Sequence, residues 1–287
     1  MGKMSAFTAT TSLKNADYVP ILQTSGSTTS NMKTTLESIK NHILANLGSA
    51  ALHNSIYRGA NLGTSVSAAQ YSAINDGSFT DMYIGDYWTI NSKVYRIAAF
   101  DYWLNKGDTA CSKHHVVLVP DTNFTGAPMN SENITTGGYV GSDMYTGANS
   151  NTGLSAAKST INSAFSGHIL SHREYLCNAV SSGYPSAGSW YDSTVELMNE
   201  PMVYGSYIFT GANSGTNIPA LYTIDTGQLP LFALSPDRIC NRNNWWLRGV
   251  VSAANFAHVS AYGYCDSYDA SASIGVRPAF GICYSGV

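Results

Sequence analysis

Charge is what this sequence has least of. Of its 287 residues 11% are Asp, Glu, Lys or Arg, against about a quarter in an ordinary soluble domain, and the formal net charge is −3. Without a run of Lys or Arg the footprint needed for a phosphate backbone is missing, so no nucleic-acid partner is expected. No stretch approaches the ~18 consecutive apolar residues of a membrane-spanning helix, and MGKMSAFTATTSLKN lacks the apolar core of a signal peptide. The expectation is a cytoplasmically made chain without membrane insertion. Cys111, Cys177, Cys240, Cys265 and Cys283 are an odd set with no CxxC pair, against both a disulfide framework and a zinc ribbon; mostly buried thiols are expected. GxSxG, HExxH and GxxxxGK[ST] are absent. His114-His115 is a lone pair on an apolar strand, and Asp81, Asp86 and Asp101 are scattered among aromatics. No catalytic residue, cofactor or metal is expected.

Gly, Ser, Thr, Asn and Tyr fill the place of the missing charges, a surface suited to hydrogen bonds and aromatic contact. An apolar fraction of 44% still supplies a core. Residues 1–50 form an N-terminal segment of which 1–30 carry too little apolar surface to fold alone. They hold one strand-like piece, Asp17-Tyr18-Val19-Pro20-Ile21-Leu22, and then a helix predicted over 31–47, with Leu36, Ile39, Ile43, Leu44 and Leu47 at helical spacing and Gly48 as its stop. Its narrow apolar stripe either pairs with further copies or docks on the following domain, and the oligomeric state separates the two.

In 51–287, GTSVSAAQYSAIND (63–76) reads as a short helix and GDYWTINSKVYRIAAFDYW as a hairpin turning at Asn91-Ser92-Lys93. HHVVLVP (114–120) reads as a strand and GLSAAKSTINSAFSGHIL (153–170) as a second helix. From STVELMNEPMVYG onward short strands and long Gly/Asn loops are expected, with helices early in the domain and strands late. NFT at Asn123 and NIT at Asn133 match the glycosylation pattern, coincidental without a secretory route. The class is α+β, with short mixed strands, two helices and long loops.

The informative stretch is 229–282. Trp245, Trp246 and Leu247 open it, and Val276, Pro278, Phe280 and Ile282 close it with the alternation of a half-buried strand. Between them runs a string of small polar and aromatic residues. The words WWLRGVVS, FAHV and GVRPAF resemble the variable proteins of diversity-generating retroelements, a C-type-lectin-fold family that includes phage tropism determinants. The resemblance extends more loosely through GDYWTINSKVYRIAAFDYW, GGYVGSDMYTG, AFSGHILSHREYL and VELMNEPMVYGS, about 55–287. The words at 10–43 also resemble the leader of phage tail-fibre proteins, where a short strand precedes an assembly helix.

The resemblance implies diversification through template adenines, so that Asn codons vary and codons without adenine persist. Asn255, His258, Ser260, Ala261, Tyr262, Tyr264, Asp266, Ser267, Tyr268, Asp269, Ser271, Ser273 and Ile274 all fit an Asn-codon origin, and Phe256, Val259, Gly263, Cys265, Ala270, Gly275 and Val276 become the fixed frame. The thirteen positions are the expected ligand-binding face. Arg248 and Arg277, beside buried anchors, are expected to pin loops through carbonyls or a carboxylate.

The same resemblance points to a virion-surface receptor-binding protein made in the host cytoplasm. Its expected partners are a bacterial surface protein or glycan, other virion proteins through residues 1–50, and its own copies as a homotrimer. The alternative is a non-binding virion structural or decoration protein using the same fold. Formylglycine-generating enzymes share that fold and work through cysteines, but Cys240 and Cys265 carry no motif for it. The calcium-binding words of lectins proper are missing, Glu200-Pro201 continuing to Met202, so recognition is expected to be metal-independent.

Overall fold

The computed structural model describes residues 18–25, 28–36, 38–39, 49–210 and 222–285. The chain divides into two compact units, Met1–Ser49 and Ala50–Val287.

In the first unit β1 (Tyr18–Ser25) and β2 (Thr28–Thr35) form an antiparallel hairpin in register from Tyr18 opposite Thr35 to Ser25 opposite Thr28. This corrects the helix predicted from residue 31, because Asn31–Thr35 belong to β2. The segment TTSNMKTT is Thr-rich and has β1 as a hydrogen-bonding partner, so pairing overrides the helical reading. Helical backbone begins at Leu36, where the Thr35 hydroxyl accepts from the Ser38 N–H at 3.0 Å in the manner of an N-cap. Residues 37 and 40–47 of the expected helix lie outside the described residues.

The second unit is α+β. After α1 (Ser49–His53) and β3 (Asn61–Gly63), a capping box between Ser67 and Gln70 starts α2 (Ala68–Asn75). β4 (Tyr87–Ile90) and β5 (Lys93–Phe100) form the expected hairpin, with Asn91 and Ser92 at φ 49° and 62°, as a two-residue turn matching strand twist demands. β6 (Val116–Pro120), β7 (Phe124–Ala127), α3 (Asp143–Thr146) and α4 (Gly153–Ala164) follow. Next come β8 (His172–Ser181) and β9 (Tyr184–Ser193), a two-stranded ribbon, then β10 (Val195–Leu197), α5 (Glu200–Tyr204) and α6 (Pro230–Leu234). The chain ends through β11 (Trp245–Val250), β12 (Asn255–Val259), β13 (Cys265–Asp269), β14 (Ile274–Val276) and β15 (Pro278–Ile282).

Two larger sheets result, ordered β10-β15-β6-β5-β4-β3 and β13-β12-β11-β14-β7. Helices and strands are therefore interleaved rather than segregated early and late, and the expected strand region after Ser193 contains the short helix α5 because Asn199 caps it and Pro201 opens it. β15 lies between β10 and β6, and all five of its residues are buried, so the half-buried alternation expected at the C-terminus is corrected to a strand covered on both faces. Trp88, Tyr95, Trp103, Phe165, Trp245, Trp246 and Phe256 fill the core. All five cysteines are free; Cys111 and Cys283 are buried and the other three half-buried.

Candidate functional site

Trp245 and Trp246 open β11 fully buried, the Trp246 indole N–H donating to Ala127 O at 2.9 Å. β12 pairs along β11, with Trp246 opposite His258, and β13 pairs along β12 as the outer strand of the sheet. Side chains alternate across a sheet, so the cross-strand pairs assign two sides. Asn255, Ser267 and Asp269 share one, where the Asn255 amide donates to Asp269 at 3.1 Å. His258, Asp266 and Tyr268 share the other, with the His258 ring 5.2 Å from Tyr268 and 6.4 Å from Trp246.

The thirteen expected positions are thus not one flat face. They wrap the outer hairpin, with Tyr262 (83% exposed) and Tyr264 (54%) at its turn, Tyr268 and Asp269 along β13, and Ser271 and Ser273 in the loop beyond. Asn255, Ala261, Asp266, Ser267 and Ile274 are half-buried. His258 and Ser260 are buried, unlike the exposed positions of the expected face: the His258 ring packs against Trp246 and Tyr268, and Ser260, just past β12, donates its N–H to Tyr264 O across the turn. Burial lowers the His258 pKa against the opposing pull of Asp266. The frame positions Phe256, Val259, Ala270 and Val276 are buried, and Gly263 takes φ 91° against Cys240.

Beside the hairpin turn runs an open groove of about 720 Å³. Thr122, Asn123 and Phe124 form one wall, Arg242, Asn243 and Asn244 another, and Ala261, Ser273, Ile274 and Gly275 complete it. Only three of the thirteen expected residues therefore line it. A Cβ on Gly275 would lie 2.1 Å from Asn123 Nδ2, so glycine is what lets the strands close here. The Asn123 amide donates to Asn244 O at 3.1 Å and accepts from Asn241 at 2.6 Å, and the Ala261 N–H donates to Asn244 Oδ1 at 2.7 Å. The sequence signal for this wall was the Asn-rich word Asn241-Arg242-Asn243-Asn244 directly before Trp245; for Thr122–Phe124 there was none.

The two flanking arginines are both buried. Arg248 forks between Glu174 (2.5 Å) and Asp225 (2.6 Å) and donates to Leu197 O, tying β11 to β8, β10 and the chain before α6. Burial opposes ionisation of Glu174, but Arg248 and His172 outweigh it and hold its pKa below the carboxylate range. Asp225 is pushed up, by burial first and then by the charge of Glu174. Arg277 donates instead to Pro120 O, Arg238 O and Ile239 O. Beside Arg248 lies a cavity of about 50 Å³, room for a few waters and no more.

His114 sits just before β6, 2.7 Å from Asp101, and Asp86 is buried against Arg58. Among the described residues no three potential ligands cluster for a metal, and no helix is long and apolar enough to cross a membrane. No known protein family matches the chain, nor does any curated protein or solved structure.

Proposed function

We propose that the chain is the target-adhesion protein of a phage-like particle, displayed on the virion surface. In this reading 51–287 is a C-type-lectin-fold domain diversified around its outer hairpin, and 1–50 attaches it to the virion and assembles it as a trimer. The supporting observation is the grouping of Tyr262, Tyr264 and Tyr268, all exposed, with Asp269, Ser271 and Ser273 on a hairpin held by buried Trp245, Trp246 and Phe256. Tyr offers large amphipathic contact area with two torsions to freeze, while Ser and Asp adapt their hydrogen bonds, the vocabulary of antibody loops. The ligand is a protein or glycan of a bacterial surface, and no cofactor or catalytic step enters.

The burial of His258 and Ser260 favours the second reading, a virion structural protein with an undiversified hairpin. The two are separated by the genomic neighbourhood: a near-copy of the codons for residues 245–280, with adenines at the thirteen positions, beside a reverse-transcriptase gene. Finding it establishes diversification. Its absence, together with failure of the purified chain to bind bacterial cells, would overturn the adhesion reading.

A further inference from the structure

A second pocket, of about 250 Å³, adjoins the groove through Arg242, which lines both. Its wall includes Arg238, Cys240, Arg277, Asp121 and Asp237. It is fixed against the variable turn: Cys240 Sγ donates to Ala261 O at 3.1 Å, and Gly263 is held against Cys240.

The charges in this pocket are unbalanced. Arg277 is 1% exposed, yet its guanidinium meets three carbonyls and the faces of Trp245 and Phe232, and no carboxylate pairs with it among the described residues. Its Nη2 has no hydrogen-bond partner among them. Asp121 is already engaged by Arg96 through two bonds of 2.8 and 2.5 Å, and Asp237 is a mostly exposed carboxylate 4.0 Å from Arg238. Arg242 is exposed and forms no ion pair among the described residues. A buried cation without a directly paired carboxylate is costly, and the nearest acidic residue in the wall, Asp121, is shared with Arg96. Burial, opposed by the charge of Asp121 and reinforced by Arg96 and Arg238, lowers the Arg277 pKa to about 10, which leaves it protonated at neutral pH.

We propose that this pocket is a fixed anion subsite, receiving the carboxylate or phosphate of a negatively charged sugar whose hydroxyls meet the amides of Asn243 and Asn244 in the adjoining groove. Arg presents a planar fork matched to either oxyanion, and Tyr262 and Tyr264, their rings 7° from parallel, stand at the neighbouring turn as apolar surfaces for a sugar ring. This rests on the adhesion reading and narrows its ligand: the variable residues select among targets, while the arginine pocket supplies a common anchor.

The test is calorimetric titration of the full-length chain with glucuronic acid, glucose 6-phosphate, glucose and inorganic phosphate. At least one charged sugar should bind tenfold or more tighter than both glucose and inorganic phosphate, and the preferred one tells carboxylate from phosphate. Arg242→Ala and Arg238→Ala should each weaken it at least tenfold without lowering the melting temperature; Arg277 is left in place because it also clamps three carbonyls. Equal binding of glucose or free phosphate, or unchanged affinity in both variants, overturns the proposal. Cell adhesion measured in parallel separates the two readings. Adhesion without charged-sugar binding removes the subsite and keeps the adhesin, whereas arginine-dependent sugar binding without adhesion does the reverse.

Discussion

Arg248 and Arg277 flank the string 255–274, and each is buried, but their partners differ in kind. Arg248 bridges two buried carboxylates, Glu174, which also meets His172 at 3.0 Å, and Asp225. Arg248→Met leaves Glu174 and Asp225 buried with that charge removed and is expected to cost about 3–5 kcal/mol, read from denaturant unfolding. His115 carries a different liability. Its Nε2 accepts from the Trp103 N–H at 3.1 Å, leaving Nδ1 to donate to Lys113 O at 2.9 Å, so the neutral ring is the one the fold uses. Burial lowers its pKa to about 3, and His53 and His258 are lowered in the same direction. The folded chain therefore binds fewer protons than the unfolded one below about pH 6.5. The stability that rests on the neutral rings is complete above that value and declines as pH falls, for His115 down to about pH 3, by up to about 1.4 kcal/mol per pH unit for each ring still neutral in the fold. Melting temperatures from pH 7.5 to 4.5 should fall steadily; a flat profile would show that the histidines charge without cost.

At the scale of elements, the outer hairpin divides residues that share one codon logic into two physical classes. Tyr262→Ala and Tyr264→Ala remove exposed rings and should change unfolding free energy by no more than about 0.5 kcal/mol, while His258→Ala removes a ring packed between Trp246 and Tyr268 and should cost about 1–3 kcal/mol. Equal effects at the three positions would contradict this division. The hairpin of β4 and β5, strand β6 and helices α2 and α4 were legible because each carries a local signal: paired αL turn residues, an apolar run, a capping box, or helical spacing. The ribbon of β8 and β9 was not read as strands. Its ladder joins His172 to Ser193 across a turn, and its residues are mostly half-buried without clean alternation. The strand-like piece at 17–22 was legible, but not its pairing with Thr28–Thr35, which is what makes β2 a strand rather than a helix.

For the whole molecule, the division at Ser49 sets what can be expected of assembly. If residues 1–49 drive trimerisation, light scattering of the full chain gives three times the 30.7 kDa of one copy, and a chain starting at Ala50 gives a monomer with the same melting temperature for its larger unit. A full chain that scatters as a monomer would remove the trimer from the proposal and with it the gain in effective concentration that many weak sites on one particle provide.

By itself the sequence determined the α+β class, the frame of buried anchors around the polar and aromatic string 255–274, and the loop-pinning places of Arg248 and Arg277. Those rest on composition, local periodicity and the neighbours of a residue in the chain. The tertiary structure alone decided that β15 is covered on both faces, that His258 and Ser260 lie inside, and that Thr122–Phe124 and Arg242–Asn244 meet Ala261 of the hairpin turn in one groove, with the arginine pocket adjoining it through Arg242. Burial and cavity shape depend on which strands become neighbours, and here those neighbours lie more than a hundred residues apart, as with the amide of Asn123 and the carbonyl of Asn244.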